Sequence, residues 1–157
     1  MDKFKFLKIF VLSLIFFSFS YATEIYYVNV FETINKSKMK GLAETVLKKK
    51  ADQLAKKYKI DELKGKRQLN VDELNRYRAF INGINYYQSK VSDNISKVMA
   101  ELMERFGKKY GYNVIVAEIS VIYASPKYDK TEEFIKFVNS EISKNKSKIV
   151  KEIGNIR

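Results

Sequence analysis

The chain has no cysteine, no histidine and no tryptophan, and it has one proline among 157 residues. Without cysteine it can form no disulfide, and it offers neither a thiol nucleophile nor a lipid-modified N-terminal cysteine. Without histidine it lacks the most common general base, and the two absences together remove most zinc sites. The sequence also has no glycine-rich loop of the kind that binds phosphate. We therefore expect no enzymatic activity, no metal and no cofactor.

Positive charge is in clear excess, with 30 lysine and arginine residues against 18 acidic ones and a net charge of +12. An excess of this size favours association with anionic surfaces, such as nucleic acid, anionic lipid or acidic protein. A nucleic-acid-binding protein fits the isoelectric point of about 9.6. It conflicts with the export signal described next.

The first 22 residues have the layout of a signal peptide. Three lysines within the first eight residues precede an apolar run over residues 9–19, and small residues follow at Ser20 and Ala22. A run of this length is too short to span a bilayer, so an uncleaved anchor is the weaker alternative. We expect cleavage after about Ala22 and release of the mature chain into the periplasm.

Two long helices are predicted in the middle of the chain. Residues 37–64 are rich in Lys, Ala, Leu and Glu, residues 64–70 read as a reversal, and residues 71–110 form the second helix. The second helix has the most regular pattern, in which mainly apolar residues, with Gln88 as the one polar member, recur at spacings that alternate between three and four. The positions are Leu74, Tyr77, Ile81, Ile84, Gln88, Val91, Ile95, Val98 and Leu102. A sustained period of 3.5 residues predicts a coiled-coil seam, and two such helices predict a protruding antiparallel hairpin of about 40 and 60 Å.

Strands are predicted on both sides of this hairpin. Residues 25–31 are β-branched and aromatic, and residues 112–119 and 120–124 read as two further strands after a left-handed cap at Gly111. A D-x-x-E pattern at residues 129–132 predicts the start of a last helix. Three strands leave open sheet edges and a thin core, which oligomerisation would close.

The fold class is therefore α+β: a small β-containing body with a long helical hairpin arm. Residues 1–22 are the signal peptide, residues 23–36 and 111–142 the oligomerisation body, and residues 37–110 the arm. Residues 143–157 form a basic tail, for which a helix extension and a loose tail both remain open.

The motifs at the two ends of the mature chain resemble those of the Skp/OmpH family of periplasmic chaperones. Residues 25–30 (I-Y-Y-V-N-V) resemble the family's opening strand, and residues 111–116 (G-Y-N-V-I-V) are similar to its G-Y-D-L-V-V segment. Residues 121–124 (V-I-Y-A) resemble its V-x-Y-A strand, and residues 129–131 (D-K-T) its D-I-T helix start. The resemblance extends from Glu24 to about Glu141.

One turn departs from the family, because this chain has A-E-I at residues 117–119 where the family usually has D-A-N. The resemblance implies a homotrimer in which the strands of three bodies join in a small barrel and three arms surround a cavity. It also implies that unfolded outer-membrane β-barrel proteins are held there without ATP and kept from aggregating. The expected oligomerisation-strand residues are Tyr27, Val28, Val30, Val114, Val116, Val121 and Tyr123.

The arms are the expected client-binding surface. From Lys36 to Arg67 the chain has twelve basic residues and four acidic ones. This positive charge would speed the capture of acidic unfolded chains, and salt would weaken the attraction. The expected contacts are Lys48, Lys49, Lys50, Lys56, Lys57, Lys59, Lys64, Lys66, Arg67, Phe80 and Tyr87. Two alternatives stay open: the lysines form a solvated helix face, and the aromatic residues pack inside the hairpin. For Gly83, we weigh a flexible point in the arm against a tolerated exposed glycine.

A second function is consistent with the same features. A periplasmic coiled-coil adaptor could bind anionic lipid, lipopolysaccharide or an envelope partner through its basic face. Such an adaptor would bind a folded or lipidic partner, whereas a chaperone would prefer unfolded chains.

Overall fold

The computed structural model describes residues 24–156, which form an α+β fold with one parallel two-stranded sheet and four α-helices in that range. The predicted signal peptide lies outside these residues. The elements in chain order are β1 (Ile25–Val28), α1 (Val30–Lys36), α2 (Lys38–Lys57), α3 (Val71–Tyr110), β2 (Val114–Ala117) and α4 (Thr131–Gly154).

The sheet joins the two ends of the described chain. β1 pairs with β2 in parallel, with Ile25 opposite Val114 and Val28 opposite Ala117. The backbone N–H of Lys130 donates to the Tyr27 carbonyl at 2.9 Å, which attaches the start of α4 to the same strand. The chain therefore leaves the sheet after β1, forms the three helices α1, α2 and α3, and returns to the same sheet at β2.

Side-chain caps set the boundaries of the helices. Ser37 ends α1 and begins α2, with its hydroxyl accepting from the Met39 N–H at 3.2 Å. α3 begins with a reciprocal capping box between Asn70 and Glu73. It ends at Gly111, whose φ of 72° is the left-handed conformation predicted for that position. The predicted bounds of this helix are confirmed.

α2 and α3 run antiparallel, and we call this pair of helices, with the turn between them, the arm. Leu54 lies against Gly83, and the Lys50 ammonium lies 5.1 Å from the centre of the Tyr87 ring, so the residue numbers rise on one helix as they fall on the other. The predicted first helix is too long, because α2 ends at Lys57. Lys59 takes a positive φ of 51° there, and a 3₁₀ turn follows over Ile60–Leu63. At 1.5 Å per residue the two helices are about 30 and 60 Å long.

The core lies where α4 packs against residues 38–53 of α2 and residues 91–110 of α3, which we call the base of the arm. Phe106 of α3 is completely buried, with its ring centre 5.2 Å from that of Phe134 and 5.5 Å from that of Phe137. Ile149 and Ile153, further along α4, are also buried. The helix therefore continues through most of residues 143–157, which decides between the two alternatives left open for the tail. A kink interrupts it at Asn145, where φ is −127° and ψ is 28°.

All three predicted strands differ from the structure. The first ends at Val28 because the Asn29 side chain caps α1, accepting from the Glu32 N–H at 2.7 Å. The strand predicted over residues 112–119 is shorter, because β2 ends at Ala117 and a 3₁₀ turn follows over Glu118–Ser120.

The predicted strand over residues 120–124 is wrong as a strand of this chain. Val121 is extended, with φ −109° and ψ 118°, but within residues 24–156 no strand pairs with this segment. A strand needs a partner for its backbone N–H and C=O groups, and β2 pairs with β1 alone.

Candidate functional site

The outer part of the arm extends beyond the last turn of α4. The Asn94 side-chain amide donates to the carbonyls of Ile153 and Asn155, at 3.1 Å each, which places the end of α4 at this level of α3. Beyond it, residues 54–90 contain only α2, α3 and the turn between them, and we call this part the distal arm. Its α3 segment is about 30 Å long.

In the distal arm, the face of α3 that meets α2 is not the predicted seam. Gly83 faces Leu54. Phe80 and Tyr87, three residues before and four residues after Gly83, are partly buried, and Lys50 of α2 lies over the Tyr87 ring, so this side of α3 faces α2. Of the predicted seam in this part of α3, Leu74, Tyr77, Ile81 and Gln88 are exposed, whereas Ile84 is partly buried. In the base the prediction holds, because Val91, Ile95, Val98 and Leu102 are all buried.

The geometry of the α-helix explains this change of face. A stripe with a period of 3.5 residues drifts by about 20° per heptad on a straight helix. Between Ile95 and Leu74 the drift amounts to about 60°, which is enough to turn the stripe away from a single partner helix. In the base α4 covers this side, whereas the distal arm has no third helix among the described residues.

An exposed apolar surface results. Leu74, Tyr77 and Ile81, which we call the distal stripe, have 36%, 43% and 37% of their surfaces exposed. Their spacing of three and four places them in one row on the helix. Apolar residues arranged in a row at the end of an arm are typical of an interaction surface. The spacing of these three residues is visible in the sequence, but their exposure to solvent is seen only in the structure.

The predicted basic residues divide into three groups. At the turn, Lys59, Lys64 and Lys66 pair with Glu62, Asp61 and Glu73 respectively. Lys50 and Lys57 lie over the rings of Tyr87 and Tyr58, at 5.1 and 5.2 Å. Within the described residues, the remaining four, Lys48, Lys49, Lys56 and Arg67, are exposed and form no ion pair. These four are the basic groups of the predicted set most available to an acidic partner.

The predicted aromatic contacts, Phe80 and Tyr87, are partly buried on the side of α3 that faces α2. This placement favours the alternative that they pack inside the hairpin. Tyr86 is more open, at 47% exposed, and its ring lies edge-on to Tyr87 with 5.6 Å between the centres. A client role for Phe80 and Tyr87 stays a prediction.

The turn at the tip of the arm is held by charged groups. The Glu73 carboxylate accepts from the Lys66 ammonium and from the Asn70 backbone N–H. These two hydrogen bonds, the Lys66 one first, hold the pKa of Glu73 below its ordinary value. Arg76 adds a contact to Glu62 at 3.2 Å. These contacts join the turn between α2 and α3 to the first residues of α3.

The residues predicted for oligomerisation are spread over several environments. Val28 is completely buried and Val30 belongs to the first turn of α1, so neither presents a strand surface to another copy. Tyr27, Val114 and Val116 lie in the sheet and are partly buried. Val121 and Tyr123 lie in the segment after β2, where Ile119, Ile122 and Tyr123 are each at least 90% exposed.

No protein-family model, curated protein or solved structure matches the chain. Among residues 24–156, no helix has the length and apolar character needed to cross a bilayer. The same residues contain no group of three or more acidic side chains arranged to hold a metal ion. The fold and the site therefore define an α+β protein with a two-helix arm that carries an apolar row and unpaired lysines.

Proposed function

We propose that the protein is an ATP-independent periplasmic holdase chaperone that binds unfolded outer-membrane proteins along its arms and prevents their aggregation. The observation that carries the proposal is the distal stripe, an apolar row left open on an otherwise basic arm. A holdase needs several weak apolar contacts rather than one deep pocket, because its client must leave again and fold. A row of three half-open side chains meets this need.

Charge supports the same proposal. The arm that carries the stripe also carries Lys48, Lys49, Lys56 and Arg67. The full sequence has a net charge of +12. Basic groups at a binding surface speed the encounter with an acidic unfolded chain, and they act over about 8 Å at physiological salt. The stripe would then hold what the charge has attracted.

Oligomerisation would place several arms around one client. β2 has one edge without a partner strand among the described residues, and the apolar segment after it is exposed. Open strand edges beside exposed apolar residues favour pairing with another copy. The homotrimer, the barrel and the coiled-coil nature of the arm are part of this proposal.

The direct test dilutes a urea-unfolded outer-membrane β-barrel protein into the predicted exported chain, residues 23–157. Light scattering then measures the mass of the soluble complex. We expect a complex of one client with a trimer, and no such complex with the same client already folded. A client that aggregates beside an unliganded oligomer would reject the holdase and favour the adaptor for anionic lipid, lipopolysaccharide or an envelope partner.

A variant of the stripe tests the site itself. In Leu74→Ser/Tyr77→Ser/Ile81→Ser we expect client binding to weaken about tenfold or more, since burying half of three such side chains contributes about 2 kcal/mol. The matched control is Phe31→Ser, which removes an exposed apolar side chain of α1 outside the arm. Equal client binding by the triple variant and the control would contradict the assignment of the stripe.

A further inference from the structure

A groove runs along the base of the arm between α2 and α4. It consists of two adjoining stretches of about 940 and 480 Å³, which share Val150 as a lining residue. Leu42 and Val46 of α2 contribute to its floor together with Val150. Gly41 and Gly154 also line it: a Cβ added at Gly41 would meet nothing within 4 Å, and one added at Gly154 would lie 3.6 Å from Val46 Cγ1.

Lysine is the only ionisable residue type that lines this groove. Lys38 and Lys146 lie along one stretch, and Lys49, Lys50 and Lys151 along the other. Within residues 24–156, Lys49, Lys146 and Lys151 have no carboxylate within ion-pairing distance.

Two neighbouring lysines of the same helix behave differently. Lys144 and Lys148, which do not line the groove, pair with Glu141 and Glu152 at 3.8 and 3.6 Å. Acidic partners are therefore present on α4, yet none of them neutralises the side that borders the groove. An apolar floor between uncompensated cations matches a ligand that has both apolar and acidic groups.

The distribution of charge favours a polypeptide over a lipid. A lipid places its anionic head group at one end of its chains, whereas the lysines here occur on both walls and in both stretches. From residue 38 to residue 53, α2 extends for about 22 Å, enough for six or seven extended residues or four helical turns. A peptide segment of this length can present several carboxylates together with apolar side chains.

We propose that this groove is a docking site for an acidic polypeptide segment with apolar side chains, supplied by a partner protein. The site is separate from the distal stripe and does not rest on the holdase proposal. Its α4 wall comes from residues 142–155, which lie beyond the stretch that resembles the chaperone family. The groove is therefore a property of this chain's own C-terminal helix.

The test uses protein expressed from the full sequence and a fluorescent peptide of about twelve residues, in which Glu alternates with Leu and Phe. Fluorescence anisotropy measures its binding beside that of the same peptide with Gln in place of Glu. Two groove variants are compared, Lys146→Glu/Lys151→Glu and Gly41→Leu, of which the second adds an apolar side chain to the groove lining at a position where a Cβ meets nothing within 4 Å. The control is Lys97→Glu, an exposed lysine of α3 outside the groove.

We expect the Glu peptide to bind about tenfold more tightly than the Gln peptide, and both groove variants to lose about tenfold in affinity. Lys97→Glu should bind as the unchanged protein does. Equal affinity for the two peptides, or equal loss in the control, would overturn the proposal. So would binding of anionic phospholipid vesicles in place of the peptide, because the site would then belong to a lipid surface. The stripe variant should bind the peptide normally, which separates this result from the fate of the holdase proposal.

Discussion

The Leu54 side chain of α2 packs directly against Gly83 of α3: a Cβ added to Gly83 would lie 2.9 Å from Leu54 Cδ1 and 3.2 Å from Cδ2. Gly83 is thus a packing glycine, which differs from the tolerated exposed glycine considered from sequence. A flexible point in the arm at Gly83 stays a prediction.

We expect Gly83→Leu to lower the free energy of unfolding by about 1–3 kcal/mol, because the larger side chain must separate the helices. In Gly83→Ala the gain in helix propensity, about 1 kcal/mol, is opposed by the contact with Leu54. The control is Gly41→Ala, where the added Cβ meets nothing and the full gain should appear. Urea unfolding measures all three variants. A Gly83→Leu protein as stable as the unchanged one would contradict this packing.

The aromatic core predicts a second effect on stability. Phe106 is completely buried among Phe134, Phe137 and Tyr112. We expect Phe106→Ala to lower the free energy of unfolding by about 3–5 kcal/mol, since the lost contacts leave a cavity. Phe31→Ala, on an exposed residue, should change it by less than about 0.5 kcal/mol. Similar unfolding midpoints for the two variants would show that α4 does not pack as described.

The tip of the arm should depend on pH through Glu73. The pKa of this carboxyl is lowered by the Lys66 ammonium and the Asn70 N–H. Its contribution to stability is therefore present above the unfolded-state pKa of about 4.3 and is lost as the pH falls through the lower folded-state pKa.

We expect the unfolding midpoint in urea to fall more steeply between about pH 5 and pH 3 in the unchanged protein than in Glu73→Gln. Glu101→Gln is the matched control, since Glu101 is exposed and has no ion pair among the described residues. A Glu73→Gln protein that keeps the full pH dependence of stability would show that the Glu73 carboxyl is not its source. The same would follow if Glu101→Gln lost that dependence instead.

The exposed segment after β2 should govern self-association. Ile122 and Tyr123, in the segment that follows β2, are almost entirely exposed. If the proposed trimer buries this segment between copies, we expect Ile122→Lys/Tyr123→Ser to shift the mass measured by light scattering from trimer to monomer, because burying the lysine charge at the contact would cost several kcal/mol. Lys97→Glu should leave the mass unchanged. A variant that stays oligomeric would place the interface elsewhere.

The bounds of the long helix α3 and its cap at Gly111 were predicted from the sequence, whereas the capping box of Asn70 and Glu73 was not, although it too is a local feature. Asn70, Glu73 and Gly111 act through hydrogen bonds and backbone angles within a few residues, so local sequence determines them. The α+β class followed in the same way, from a change in apolar period along the chain. Local signals also place the excess of basic residues on the arm.

Tertiary contacts decided which face of each helix is covered. The row Leu74, Tyr77 and Ile81 has the pattern of a buried seam, and it stays open because a straight helix turns it away from α2 and because α4 ends near Asn94. The groove between α2 and α4 likewise exists only because the C-terminal residues continue as a helix. A periodic pattern shows which residues share a face, but the reach of the neighbouring helices determines whether that face meets protein or solvent.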